Sequence, residues 1–255
     1  MAGIIMVIAF FMTMTGRGGG NFYMLTLVLM GVSMKVGAPV SQFVLMCSSL
    51  MAAVLFSRRK MNHWKLTIFL GILIFISAMA GGYYGGYFNE DILKVVFAVV
   101  MFVAACFMLR KPKERKPVDK PWRLNLTSEG ETFQVNLFIT IPTVFVAGFL
   151  SGMVGVSGGS FMVPLMILTM SVPMHIAVGT STTLVAISAL AGFLGHLGAG
   201  AVDFSLALPL AAGGIIGGFF GAKMALKSKP KNLKYLFAGT QIVASVIMII
   251  NVFTH

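Results

Sequence analysis

Long apolar runs separated by short polar gaps occupy almost the whole chain. Ten runs can be marked, at residues 2–15, 22–34, 36–56, 66–88 and 92–109 in the first half and 137–154, 161–171, 176–197, 204–226 and 233–252 in the second. A lone bilayer crossing takes about 20 apolar residues, so the last three runs of each half predict full transmembrane helices. The first two runs of each half are short and meet at a loop of small residues. These loops are Gly16-Arg17-Gly18-Gly19-Gly20-Asn21 and, 139 positions later, Gly155-Val156-Ser157-Gly158-Gly159-Ser160. Lipid cannot hydrogen-bond freed backbone groups, so backbone that leaves the helix at membrane depth must be sheltered by protein or line a cavity. The pattern predicts an all-α polytopic membrane protein in which each short pair forms partial helices or a re-entrant hairpin, broken at a Gly-rich loop.

The two halves repeat each other. Ala38 and Ser41 lie 139 positions before Ala177 and Thr180, whereas Leu93-Lys94 and Phe97 lie 140 before Leu233-Lys234 and Phe237. Ser77-Ala78 with Gly81 match Gly217-Gly218 with Gly221, small residues that let helices approach closely. The expected organisation is a first transmembrane repeat at 1–109, a basic linker at 110–136 and a second repeat at 137–255.

Composition and charge add an orientation. Apolar residues make up 58% of the chain, charged residues only 10%, and the mean hydropathy is +0.93, which excludes an ordinary soluble domain. The net charge of +12 does not indicate nucleic acid, because seven of the nineteen Lys and Arg fall between Arg110 and Arg123 and most others in short gaps between apolar runs. Basic gaps face the cytoplasm. Arg58-Arg59-Lys60 and Lys65 mark the loop after the third run, and the linker follows the fifth. In the second half, the equivalent loop around 198–203 has no Lys or Arg, and Lys227, Lys229, Lys231 and Lys234 follow the fourth run instead. The basic side therefore switches between halves. This predicts inverted repeats of five segments each, with both termini outside and the linker inside. Pro112, Pro117 and Pro121 suggest an extended connection without its own core, whose cations can also touch anionic headgroups. The apolar start lacks a basic leader and a small-residue cleavage site, so it reads as a retained segment. Cys47 and Cys106 fall inside apolar runs and read as small buried residues.

The Gly loops carry the candidate chemistry. Glycine permits positive φ, so successive N–H groups can converge on an anion, and a helix starting at Phe22 or Phe161 adds the positive end of its dipole. Three consecutive glycines, Gly18-Gly19-Gly20, weaken a helix by about 1 kcal/mol each, more than close packing requires. Close helix crossing remains the competing explanation of the glycines. Arg17 has two readings: a guanidinium that binds an oxyanion, or an interfacial residue that snorkels. The expected substrate-binding set is Arg17, Gly18, Gly19, Gly20, Asn21, Ser41, Gln42, Ser157, Gly158, Gly159, Ser160, Thr180 and Ser181, with Asn21/Ser160 and Ser41/Thr180 as repeat-related pairs. No Asp or Glu lies within an apolar run, so no carboxylate relay or sodium cage is evident, and His175 and His196 read as interfacial. No nucleophile and base, metal or cofactor motif is present, so neither an enzyme nor a cofactor is expected.

The stretch from Gly148 to Pro164, followed by His175-Ile176-Ala177-Val178-Gly179-Thr180-Ser181 and by Gly213-Gly214-Ile215-Ile216-Gly217-Gly218 with Gly221, resembles the TauE/SafE sulfite exporter family, also described as 4-toluene sulfonate uptake permeases. The resemblance covers nearly the whole chain. It implies a carrier of the prokaryotic cytoplasmic (inner) membrane that moves a small sulfur oxyanion or organosulfonate, usually outward, with lipids as its surroundings. Arg17, Asn21, Ser157 and Ser160 depart from the glycine signatures of the family, and the proline of Val163-Pro164 is Leu25 in the first copy. An anion channel, and a non-transporting membrane protein that recruits a partner through the basic linker, are the alternatives. The sequence leaves homo-oligomerisation open.

Overall fold

The computed structural model describes residues 2–16, 18–109, 123–128, 131–170, 172–199 and 202–228. Nine helices are found among them: α1 (Ala2–Met14), α2 (Gly20–Leu29), α3 (Met34–Arg58), α4 (Trp64–Gly85), α5 (Glu90–Leu109), α6 (Leu137–Val154), α7 (Gly159–Met170), α8 (Met174–Gly198) and α9 (Phe204–Lys227). Five of these, α3, α4, α6, α8 and α9, are long and apolar enough to cross a bilayer. The protein is an all-α polytopic membrane protein. Arg17, linker residues 110–122 and the last predicted run, 233–252, lie outside the described residues.

The helices form where the apolar runs predict, and their ends are capped by the polar gaps. Ser33 accepts from the Val36 N–H at the start of α3, where the Glu90 carboxylate also accepts from the Met34 N–H at 3.1 Å. Asp203 caps α9 by accepting from the N–H groups of Ser205 and Leu206 and from the Ser205 hydroxyl, which together hold its carboxyl below the usual carboxylate range. Two expectations need adjustment. Helices α2 and α7 begin at Gly20 and Gly159, two residues before the predicted Phe22 and Phe161. In the described part of the linker, β1 (Arg123–Ser128) and β2 (Glu131–Asn136) pair as an antiparallel hairpin instead of running as one extended connection. The alternation was present in the sequence: Leu124 and Leu126 stand opposite Val135 and Phe133, while Asn125 and Thr127 stand opposite Gln134 and Thr132. Val135 is buried in the core between α6 and α7.

Polar and apolar positions are distributed as lipid requires. Ile68, Ile72 and Ile76, four residues apart on α4, face outward, as do Leu208, Ile216 and Phe220 on α9. Thr13, Asn21, Ser41, Gln42, Ser48, Ser49, Thr180 and Ser181 are buried instead. Among the described residues of helices α1–α4 and α6–α9 and their connecting turns no Asp, Glu, Lys or Arg is buried.

The most extensive helix contacts cross between the halves: α1 with α9, α4 with α6 and α8, and α3 with α8 and α9. Glycines make these crossings close. A Cβ at Gly213, Gly217 or Gly221 would press on the carbonyl oxygens of Ala2, Met6 and Phe10, so α1 and α9 run parallel. A Cβ at Gly81 or Gly85 would meet the carbonyls of Phe149 and Met153, so α4 and α6 also run parallel. Gly221 on Phe10 and Gly81 on Phe149 are the same contact with the halves exchanged. By the same reasoning α3 runs with α9, through Gly214 against Val44 and Gly218 against Ser48, and α4 with α8, through Gly71 against Ile187 and Gly82 against Gly192. In contrast, α3 and α8 are antiparallel: Gln42 near the start of α3 touches Gly192 near the end of α8, and Phe56 clusters with Val178 at their other ends. Hence α1 opposes α6, α3 opposes α8, and α4 opposes α9.

Adding one methyl at these crossings forces backbones apart, whereas Gly3 has open space around it. Gly81→Ala and Gly221→Ala are each expected to destabilise the protein by about 1–3 kcal/mol, with Gly3→Ala close to neutral. Thermal unfolding in detergent micelles checks this, and equal effects at all three positions would contradict the packing described.

Candidate functional site

The two Gly loops meet beside the middles of α3 and α8, the pair of 25-residue antiparallel helices. A Cβ at Gly18 would collide with Ser49, Leu45 and Val185, which lie near the halfway points of those helices. One at Gly20 would lie 2.8 Å from the backbone nitrogen of Ser157 in the other loop. Gly16, Gly18 and Gly19 have positive φ of 76°, 70° and 94°. In the second loop it is Gly155, with φ 73°, that takes the left-handed conformation, while Gly158 does not. Gly16 and Gly155, 139 positions apart, thus share the left-handed turn, and the loops differ in that Gly18 and Gly19 add positive φ where Gly158 does not.

Side chains from α3 and α8 satisfy the backbone groups that the breaks release. The Ser41 hydroxyl lies 2.8 Å from the Gly155 carbonyl, to which it donates, and 3.2 Å from that of Gly20. Ser181 donates to the Gly16 carbonyl at 2.9 Å. These bonds are exchange partners: each half uses its long helix to hold the loop of the other. On α8 it is Ser181, next to the expected Thr180, that bonds the Gly16 carbonyl as Ser41 bonds that of Gly155. Thr180 has a different task, accepting from the His63 N–H at 3.0 Å and so fixing the turn between α3 and α4. Gln42 donates through Nε2 to the Ser151 carbonyl at 2.8 Å. Asn21 accepts through Oδ1 from the Ser157 N–H at 3.1 Å, a direct bond between the loops.

Of the predicted set, the structure brings Gly18, Gly20, Asn21, Ser41, Gln42 and Ser157 into one buried cluster, with Gly19 packed on Tyr23 and Gly158 near Ser151 and Ser188. Gly159 and Ser160 open α7. Ser181 and Thr180 lie further along α8, at Gly16 and at the α3–α4 turn.

Several residues of this region were not singled out from the sequence. The Tyr23 hydroxyl donates to Ser48 Oγ at 3.4 Å, and beside Gly18 the buried Ser49 hydroxyl has no hydrogen-bond partner. His196, read as interfacial, is buried instead, and its Nε2 lies 2.9 Å from the Gly152 carbonyl, a contact that requires the N–H to be on that nitrogen. Serines at 48 and 49 in an apolar run were the available signal for a polar stripe on α3. Nothing local marks His196, because its partner is 44 residues away.

A chain of this length, with two glycine-broken helix pairs meeting between antiparallel long helices, has a counterpart among known sequences. The pattern of the family described as sulfite exporter TauE/SafE matches residues 1–248. The chain belongs to the TauE/SafE family. This TauE/SafE chain is 28% identical over 239 residues to the probable membrane transporter protein YunE of Bacillus subtilis (strain 168), covering 87% of this chain and 86% of the relative. It is 25% identical over 218 residues to a probable membrane transporter protein of Methanocaldococcus jannaschii, covering 82% and 76%. A third relative, the probable membrane transporter protein YdhB of B. subtilis, is 30% identical over 115 residues, covering 45% of this chain and 47% of the relative. No solved structure matches. The chain is a multi-pass membrane protein of a transporter family.

Removing either serine clamp leaves a buried carbonyl at a chain break. Ser41→Ala and Ser181→Ala are each expected to cost about 1–3 kcal/mol, seen as lower unfolding temperatures in micelles. A neutral result for both would show that the loops do not depend on these bonds.

Proposed function

We propose that the protein is a secondary transporter or facilitator of a small sulfur-containing anion, such as sulfite or an organosulfonate. Its site lies where the two Gly loops face each other. The observation that carries this reading is the bond from the Ser157 N–H to Asn21 Oδ1. It puts a backbone donor of one loop against the polar side chain that opens the helix of the other. An oxyanion at this place replaces Asn21 Oδ1 as the acceptor of the Ser157 N–H, so binding and loop separation become one event. Anions suit helix starts, where the dipole contributes roughly half a positive charge. The site has no buried carboxylate among the described residues to repel them. Ser49, the glycine N–H groups and Arg17 supply further donors. Ser41, Ser181 and Gln42, whose donors go to carbonyls in this arrangement, act mainly by holding the loops in position.

Alternating access then moves the two halves relative to each other around this central site. The opposed directions of α1 and α6, α3 and α8, and α4 and α9 support inverted repeats. The basic turn after α3 and the basic end of α9 lie on one side, since Arg59 and Lys227 border the same cavity. Gly86 and Ala199, from turns without Lys or Arg, adjoin each other on the other side. Placing the basic side in the cytoplasm of a prokaryotic inner membrane puts the linker inside and both termini outside.

Transport is tested with proteoliposomes loaded with sulfite, sulfate, thiosulfate or taurine, measuring flux and counterflow of labelled solute. Saturable counterflow is expected for at least one of them. Arg17→Gln should raise the half-saturating concentration about tenfold, the loss of one charge-assisted bond, without lowering the unfolding temperature. Flux of none of the four, or conductance without counterflow, would remove the carrier reading. Orientation is tested separately: cysteines at Lys60 and Lys227 should react with an impermeant maleimide from one face and a cysteine at Asn89 from the other. Reaction of Lys60→Cys and Lys227→Cys from different faces would overturn the inverted arrangement.

A further inference from the structure

At the basic end of the bundle, the turn between α3 and α4 and the last turns of α9 enclose a cavity of about 760 Å³. Arg59, Lys223 and Lys227 line it, and so do Phe10, Phe220 and Met224; among the described residues that line it none is acidic. The one ion pair between described residues, Lys94 with Glu90, is on α5, so these three cations have no carboxylate partner among them. Lys223 Nζ lies 4.2 Å from the centre of the Phe219 ring, a cation–π contact. Helices α3 and α9 both end here, and each carbonyl end contributes roughly half a negative charge. Three full positive charges outweigh that, so the described lining of the cavity is net positive.

The apolar side of the cavity faces outward. Phe220 is 55% exposed and Met224 49% exposed, one turn apart on the face of α9 that meets lipid, with Lys227 close below them. A small inorganic anion would meet the cations but gain nothing from this wall. A ligand with a phosphate at one end and hydrocarbon at the other uses both. We propose that this cavity binds an anionic phospholipid, its phosphate among Arg59, Lys223 and Lys227 and the first carbons of its acyl chains over Phe10, Phe220 and Met224. No described residue of the Gly loops lines this cavity, and the proposal does not depend on which solute is carried.

The test is native mass spectrometry of the full chain released from micelles containing equal amounts of phosphatidylglycerol and phosphatidylcholine with matched acyl chains. Phosphatidylglycerol should be retained about tenfold over phosphatidylcholine. The preference should fall to parity in Arg59→Gln/Lys223→Gln/Lys227→Gln and persist in Lys35→Gln/Lys94→Gln. Equal retention by the unaltered protein, or a preference that survives the triple substitution, would overturn the proposal. So would displacement of the lipid by sulfate, which would mark a site for free inorganic anions. Phe220→Ser keeps every cation and gives a second arm: it should weaken phosphatidylglycerol retention about threefold, and unchanged retention also counts against the lipid.

Discussion

The structure depends on one constraint: backbone N–H and C=O groups released where a helix breaks must find partners, because the surrounding hydrocarbon offers none. Each break here is served by the long helix of the opposite half. Ser41 on α3 holds the loop that ends α6, and Ser181 on α8 holds the loop that ends α1. Gln42 and His196 add donors to the carbonyls of Ser151 and Gly152 just before the second break. Without these bonds the loops would be a heavy cost in the bilayer; with them, irregular backbone persists at its centre. The polar residues that line the interior are therefore first a solution to a folding problem, and the anion chemistry proposed for the same place is built on that solution.

Close packing follows from the same requirement. Side chains from α3 and α8 reach the loops only if the helices around them approach within a few ångströms, and in lipid such approach is driven by van der Waals contact between small residues. Gly81 against Phe149 and Gly221 against Phe10 supply it in exchange-related places. The glycines thus divide into two kinds. Gly16, Gly18, Gly19 and Gly155 are needed for positive φ. Gly81, Gly152, Gly217 and Gly221 are needed because a neighbouring backbone occupies the place of a Cβ.

Much of this was legible in the sequence, and the exceptions have physical causes. Apolar run lengths gave the helices, and the duplicated Gly loops gave the breaks, because both signals are local. Which hydroxyl of α8 meets the Gly16 loop, Ser181 beside Thr180, was not legible, since a shift of one residue along the helix changes which hydroxyl faces the loop without altering the character of the run. Residues 123–136 were grouped with the basic linker although the Leu124-Asn125-Leu126-Thr127 alternation and its partner Thr132-Phe133-Gln134-Val135 specify a hairpin; the charges upstream masked a period-two pattern. The roles of His196 and Ser49 were not visible, because they are set by partners from other helices and by the turn at Gly18. Whether a hydroxyl binds solute or holds a loop is a matter of where its hydrogen points, which composition does not record.

The pairing of α1 with α9 also governs how the protein is made. Ribosomal synthesis delivers α1 first, yet its glycine-lined seat on α9 is completed only after some two hundred further residues have left the ribosome. During that interval Met6, Ala9 and Phe10 lack the surface they pack against, and the break at Gly16 waits for Ser181. A chain truncated before α9 would therefore keep Ser41 and Ser181 for the two breaks but leave the face of α1 around Met6, Ala9 and Phe10 without its glycine-lined seat.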